Sequence, residues 1–339
     1  MTTATLPETR RLGRSPVAVT RLGLGSAPLG NLFAAVSEDD AARTLAAGWD
    51  TGMRYVDTAP LYGHGLSERR VGAFLKNKPR STFALSTKVG RILKRQRGSV
   101  DGGAYVEVPN LKPYYDYSRD GALRSVEDSL ERLGLDRIDI LLIHDIDRFT
   151  HKDEQPRRIQ EAMEGAYEAL ADLRAQGVVG AIGIGVNEWQ VCEAVARIAD
   201  IDCMLLAGRY TLLEQEALAT FLPLCLKRKI SVIAGGVFNS GILASGARPG
   251  ATYNYVPAPP AILERVEAID RVCKAHGVPL AAAALQFPLA HPAVASVVIG
   301  ARTAGEVVAN HALLARPIPA GLWADLKAER LLVPEAPTP

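Results

Sequence analysis

Cysteine is scarce in this chain. The four present, Cys192, Cys203, Cys225 and Cys273, lie far apart with no CxxC pair. That spacing excludes a disulfide framework or a zinc site and predicts reduced, mostly buried thiols in a cytoplasmic protein. Excess charge is missing too. With 39 Lys and Arg against 37 Asp and Glu, the formal net charge is +2, too balanced for a nucleic-acid or membrane-surface binder. No apolar run is long enough to span a bilayer. Met1–Arg14 lacks the apolar stretch of a signal peptide. There is no linker marked by a shift in composition and no low-complexity tract. At 339 residues, 48% hydrophobic and 22% charged, the expectation is one soluble domain over 1–339 whose partner is a small molecule.

What the chain does contain is a rhythm of short apolar runs alternating with amphipathic segments. The predicted strands are 21–25, 55–57, 83–88, 138–144, 181–185, 203–206, 231–234 and 294–299. Helical patterns lie between them. Over Asp120–Leu133, for example, Leu123, Val126, Leu130 and Leu133 share one face, with Asp120 as the expected N-cap. Eight strands with intervening helices predict a closed (β/α)8 barrel; an open doubly wound sheet is the alternative on pattern alone. The lone Gly183-Ile-Gly185 lacks the further glycine of a dinucleotide fingerprint, and a tight turn explains Gly183 as well. Three segments interrupt the rhythm. Residues 10–19 predict a hairpin closing the barrel floor. Residues 91–119 and 247–260 predict long loops over the rim.

Asp57, Tyr62, Lys88 and His144 each fall where a predicted strand ends and a loop begins. In a barrel those ends meet at one rim, where active sites sit. A phenol titrates near ~10, and a nearby ammonium lowers that value. A carboxylate beside the lysine would hold the ammonium in place. Asp57, Lys88 and Tyr62 together therefore predict one tuned proton-transfer group, with His144 orienting a substrate oxygen. Such a set suits hydride transfer at a carbonyl or alcohol, where a nicotinamide carries the hydride. Taken singly, each residue has an ordinary explanation: a loop cap, a packed ring, a surface lysine, a hydrogen-bonded core histidine.

The same residues resemble the aldo-keto reductases in type and order. Asp57-Thr-Ala-Pro-Leu-Tyr-Gly-His-Gly-Leu-Ser-Glu68 is similar to the family's second-strand signature, and Ser86-Thr-Lys88 and Leu142-Ile-His144 to the segments carrying its lysine and histidine. The resemblance implies that all four tetrad residues are catalytic. It also implies cofactor contacts at Ser26, at Asn187 for the nicotinamide amide, at Phe238, Asn239, Ser240 and Gly241 for the pyrophosphate, and at Gly300, Ala301, Arg302, Glu306 and Asn310 toward the adenosine ribose. Ala207 and Gly235 stand where many members carry a Gln and an aromatic residue. Relatives that use NADP place an Arg where this chain has Glu306. A carboxylate repels a 2′-phosphate and accepts from a free 2′-hydroxyl. NAD is therefore the expected cofactor, with NADP the alternative through Arg302.

Within the family, the stretches 207–215 and 235–241 look most like the sugar-oxidising D-threo-aldose 1-dehydrogenases, with pyridoxal 4-dehydrogenase a near relative. The expected reaction is oxidation of an aldopyranose such as L-fucose at C1 to a lactone. Asp145, Asp147, Trp189 and Arg209 are the expected sugar contacts, and no metal is involved. The alternatives are pyridoxal oxidation, NADPH-dependent aldehyde reduction, a Schiff-base aldolase built on Lys88, and a non-enzymatic cofactor-sensing subunit.

Overall fold

The computed structural model describes residues 8–339. The first seven residues, part of the stretch considered for a signal peptide, lie outside the described residues. Fourteen strands follow in chain order: β1 Thr9–Arg11, β2 Ala18–Thr20, β3 Leu22–Gly25, β4 Tyr55–Asp57, β5 Ala84–Val89, β6 Arg91–Arg95, β7 Leu111–Tyr115, β8 Ile140–His144, β9 Ala181–Val186, β10 Cys203–Ala207, β11 Ser231–Gly235, β12 Thr252–Tyr253, β13 Val256–Pro257 and β14 Val294–Gly300. Eight of them close a parallel barrel in the order β3-β4-β5-β8-β9-β10-β11-β14. These are the eight predicted strands, and the (β/α)8 expectation holds.

Alternation along each strand decides what faces the barrel interior. On β4, Tyr55 joins the inner cluster while Val56 packs outward against the helices. On β5, Ala84 points in while Leu85 and Val89 point out; on β8, Ile140 and Leu142 point in while Leu141 and Ile143 point out. Continuing the period of two puts Asp57, Lys88 and His144 on the inner face. Their strands are neighbours, since β4 pairs with β5 and β5 with β8. Three sequence-distant residues therefore meet at one mouth because of register alone.

The β1–β2 hairpin forms as predicted. Leu12 and Val19 sit in the inner cluster with Tyr55, Ile140 and Ile233, and so plug the floor. Three expectations need correction. The long rim segments are not irregular loops: β6 and β7 pair as an antiparallel hairpin, and so do β12 and β13. The helix starts at Arg119, and its cap is Ser118, which accepts from the Gly121 N–H; Asp120 lies in the first turn. Gly183 is likewise no turn residue. It lies inside β9, where a Cβ would stand 1.7 Å from the Cys203 carbonyl oxygen. All four cysteines are free and buried. No helix among the described residues is long and apolar enough to cross a membrane.

Candidate active site

Asp57 and Lys88 form a buried ion pair at the strand ends. The Lys88 Nζ lies 2.8 Å from Asp57 Oδ2 and 3.0 Å from Oδ1, and its third proton goes to the Thr58 carbonyl at 2.9 Å. An ammonium has three donors, so Lys88 has none left. Ser86 donates to Asp57 Oδ1 at 2.7 Å and shares a hydrogen bond with the Tyr55 hydroxyl. Gly185 leaves room for the lysine stem, since a Cβ there would come within 3.3 Å of Lys88 Cε. A lysine held in this way is not the neutral amine a Schiff-base aldolase needs.

Tyr62 sits over this pair, with Lys88 Nζ 4.6 Å from its ring centroid. The expected lowering of the phenol by Lys88 does not occur. Burial first, then the Asp57 and Asp145 carboxylates, push Tyr62 well above the usual tyrosine value, and Arg91 opposes them only in part. His144 meets Tyr62 edge-on at 6.0 Å. Burial, then the Lys88 and Arg91 cations, hold its imidazole well below the ordinary histidine range. The resting site thus holds a protonated phenol, a neutral imidazole and a saturated ion pair.

Asp57 and Tyr62 line a cavity of about 660 Å³ that runs past β11 and β14. Phe238, Asn239, Ser240, Gly241, Gly300, Ala301, Arg302 and Glu306 line it. Small residues dominate this half: Gly235, Gly236 and Ala207 also line it, and a Cβ on Gly241 would meet only open space. Asn239, Ser240 and Gly241 all have positive φ, at 44°, 58° and 94°, and Asn239 Oδ1 is buried without a partner. An extended cradle with an unsatisfied polar atom fits a dinucleotide.

Other predicted contacts fall elsewhere. Ser26 is fully buried, donating to the Asp57 carbonyl and accepting from Ser67; it braces the site from behind. Asn310 lies one turn beyond Glu306, off the cavity wall. Asn187 is tied to Asp147 through its N–H at 2.7 Å and lines a small adjoining recess with Arg209. Trp189 packs against the core rather than facing the cavity. Asp147 is fully buried and caps the short helix Arg148–His151. Asp145 is spent on Arg91, 2.6 Å away. Arg209 bonds Asn254 and its neighbouring carbonyl. Glu306 accepts from the Arg302 N–H at 2.7 Å, and the Thr303 hydroxyl, the N-cap of the helix, accepts from the Glu306 N–H. Arg302 donates to the Leu32 carbonyl at 2.8 Å.

Sequence reasoning missed Arg91 and an aromatic wall. Phe33 and Tyr255 line the cavity and stand 6.1 Å apart, and Tyr105 stacks on Tyr62 at 6.3 Å. Arg91 was within reach, lying three residues after Lys88; Tyr105 and Tyr255 sit in the β6–β7 and β12–β13 hairpins and Phe33 in the loop after β3, whose courses no local pattern gives.

Residues 21–329 match the aldo/keto reductase family. This chain belongs to that family. It is 43% identical to a pyridoxal 4-dehydrogenase from Microbacterium luteolum, covering 96% of this chain and 98% of the relative. A D-threo-aldose 1-dehydrogenase from a Pseudomonas species is 44% identical over 95% of this chain and 96% of its own. Among solved structures, the aldo-keto reductase AKR11C1 from Bacillus halodurans, in its holo form, superposes with a TM-score of 0.74 at 27% identity and 96% coverage of both chains. The protein is an aldo-keto reductase and an oxidoreductase, in a family that uses nicotinamide cofactors.

Proposed function

We propose that this one-domain enzyme oxidises a cyclic hemiacetal to a lactone, with Asp57, Tyr62, Lys88 and His144 as the catalytic residues. Aldoses and pyridoxal, which the two relatives' names specify, share one feature. Each carries an aldehyde within ring-closing reach of a hydroxyl, so each exists as a cyclic hemiacetal. The observation that carries the proposal is the saturated Asp57–Lys88 pair beneath Tyr62 at the base of the cavity. When bound and oxidised, the nicotinamide supplies the hydride acceptor and a positive charge. Tyr62, once its own proton has left to solvent under that positive charge, takes the hemiacetal hydroxyl proton as the substrate carbon loses hydride; Lys88 and Asp57 fix the phenol from below, and His144 holds the substrate oxygen.

NAD is the proposed cofactor. Glu306 brings a carboxylate to the cavity edge, and Arg302 is already engaged by the Leu32 carbonyl. Asn239, Ser240 and Gly241 would hold the dinucleotide.

Two substrates stay within the proposal. An aldopyranose such as L-fucose would draw on Arg209 and the polar recess it shares with Asn187, Asn239, Ser240 and Asn254. Pyridoxal is favoured by the aromatic wall of Phe33, Tyr62, Tyr105 and Tyr255. A panel of aldoses and pyridoxal, each with NAD and NADP, separates them. The expected result is lactone and reduced cofactor in equal amounts, with NAD preferred. Activity confined to reducing open-chain aldehydes with NADPH would overturn the assignment.

A further inference from the structure

Behind His144 lies a second buried ion pair, which the proposed chemistry leaves without a role. Arg91 and Asp145 are 2.6 Å apart, with both side chains 11% exposed. The chain reaches Arg91 through Gly90, at φ 97°, where a Cβ would stand 2.3 Å from the Tyr117 ring. Asp145 follows His144 directly and is itself strained, at φ 51°. That turn aims its carboxylate back at the site, so that the oxygen bonded to Arg91 also lies 3.4 Å from His144 Nε2. Asn187 Nδ2 stands 3.4 Å from the other oxygen. A non-glycine residue held in a left-handed turn by an ion pair is costly, and such strain collects where orientation matters.

We propose that Arg91 and Asp145 are positioning residues for His144, setting the orientation of its ring and which of its nitrogens carries the proton. The other charged or titratable groups around the ring are accounted for. Lys88, whose cation also holds the ring neutral, is fixed on Asp57, and Tyr62 meets the ring edge-on. Tyr117 donates to the His144 carbonyl at 2.8 Å and shares a hydrogen bond with His151, while Asp147 caps the next helix. Arg91 and Asp145 are therefore the opposed charges beside the ring whose balance a substitution can tip without breaking the Asp57–Lys88 pair. Losing Arg91 removes a cation that keeps the ring neutral and frees a carboxylate to draw a proton onto it. Losing the Asp145 charge does the reverse and removes the carboxylate that stands 3.4 Å from Nε2.

This inference rests on His144 touching the substrate oxygen, so its test has one arm that does not depend on turnover. The chain has six histidines, few enough to follow by nitrogen-15 NMR of labelled protein. In Arg91→Gln the His144 ring should begin to titrate toward the ordinary range near ~6.5. In Asp145→Asn it should stay neutral, with its tautomer changed. Arg91→Lys should restore the wild-type titration. Both charge-removing variants should lower kcat, by up to roughly 100-fold for a misplaced group, and Arg91→Gln should add a limb to the pH–rate profile. Unchanged His144 signals in both variants, with only a lower Tm, would overturn the proposal and leave the pair a clamp on the β6–β7 hairpin. If one variant does not fold, the other still decides by the same signals. Full activity in His144→Gln would instead overturn the role given to His144, whatever the spectra show.

Discussion

The floor of the barrel holds a larger cleft than the rim, about 1100 Å³ against about 660 Å³. The floor cleft is lined by Trp49, Arg54, Phe83, Arg137 and Asp139, among others. Arg54 lies on the Trp49 face at 3.9 Å and Asp139 pairs with Arg80. No non-glycine residue with positive φ lines it among the described residues. At the rim, Phe33, Asn239, Ser240 and Tyr255 line the cavity with positive φ, at about 1–3 kcal/mol each. The rim also buries two ion pairs, whose desolvation opposes folding. The floor stabilises through apolar packing, and the rim spends part of that stability on fixed charge and strained turns. Volume alone would point to the wrong end of the molecule.

Lys88→Met should disturb the rim most. It leaves the Asp57 carboxylate buried without its cation, a loss of about 3–5 kcal/mol, and turnover should fall at least ~100-fold. Thermal melting and kcat measure the two effects, and a variant both stable and active would erase the contrast drawn here. Leu12→Ala makes the opposite test at the floor. Leu12 is fully buried in the plug, so unfolding should become easier by about 2–5 kcal/mol while kcat per folded molecule stays the same. A large fall in kcat would mean that the two ends are coupled.

A smaller effect comes from histidines at both ends. Burial lowers His144 at the rim well below its ordinary value, and His291, just before β14, to about 4. The unfolded chain protonates both near ~6.5, so it binds more protons as pH falls. Stability should hold above that pH and decline below it, with the His291 share, on the order of 3 kcal/mol, fully lost near pH 4. Denaturant unfolding at stepped pH checks this, and His291→Gln should flatten the decline.

The barrel was legible because parallel strands covered on both faces are apolar runs, and strand ends such as Asp57, Lys88 and His144 fall where those runs stop. What the pattern could not reveal was how side chains divide their partners. Asp57, Lys88 and Tyr62 were placed together correctly, yet the three lysine donors go to Asp57 and Thr58, and the phenol is raised rather than lowered. Asp145 looked free for a substrate because Arg91 meets it only through tertiary structure, 54 residues apart. Ser118 took the cap expected of Asp120 because both are good caps two residues apart, and the chain's entry from β7 decides between them.

The most direct test of the account is Tyr62→Phe, with turnover and NAD binding measured on the same sample. The phenol is assigned the proton and no part of the dinucleotide site. The expected result is a fall in kcat of roughly 10²–10⁴-fold with the Kd for NAD unchanged. A variant keeping most of its kcat, or losing NAD binding along with it, would contradict the central claim that Tyr62 is the proton-transfer group of this rim.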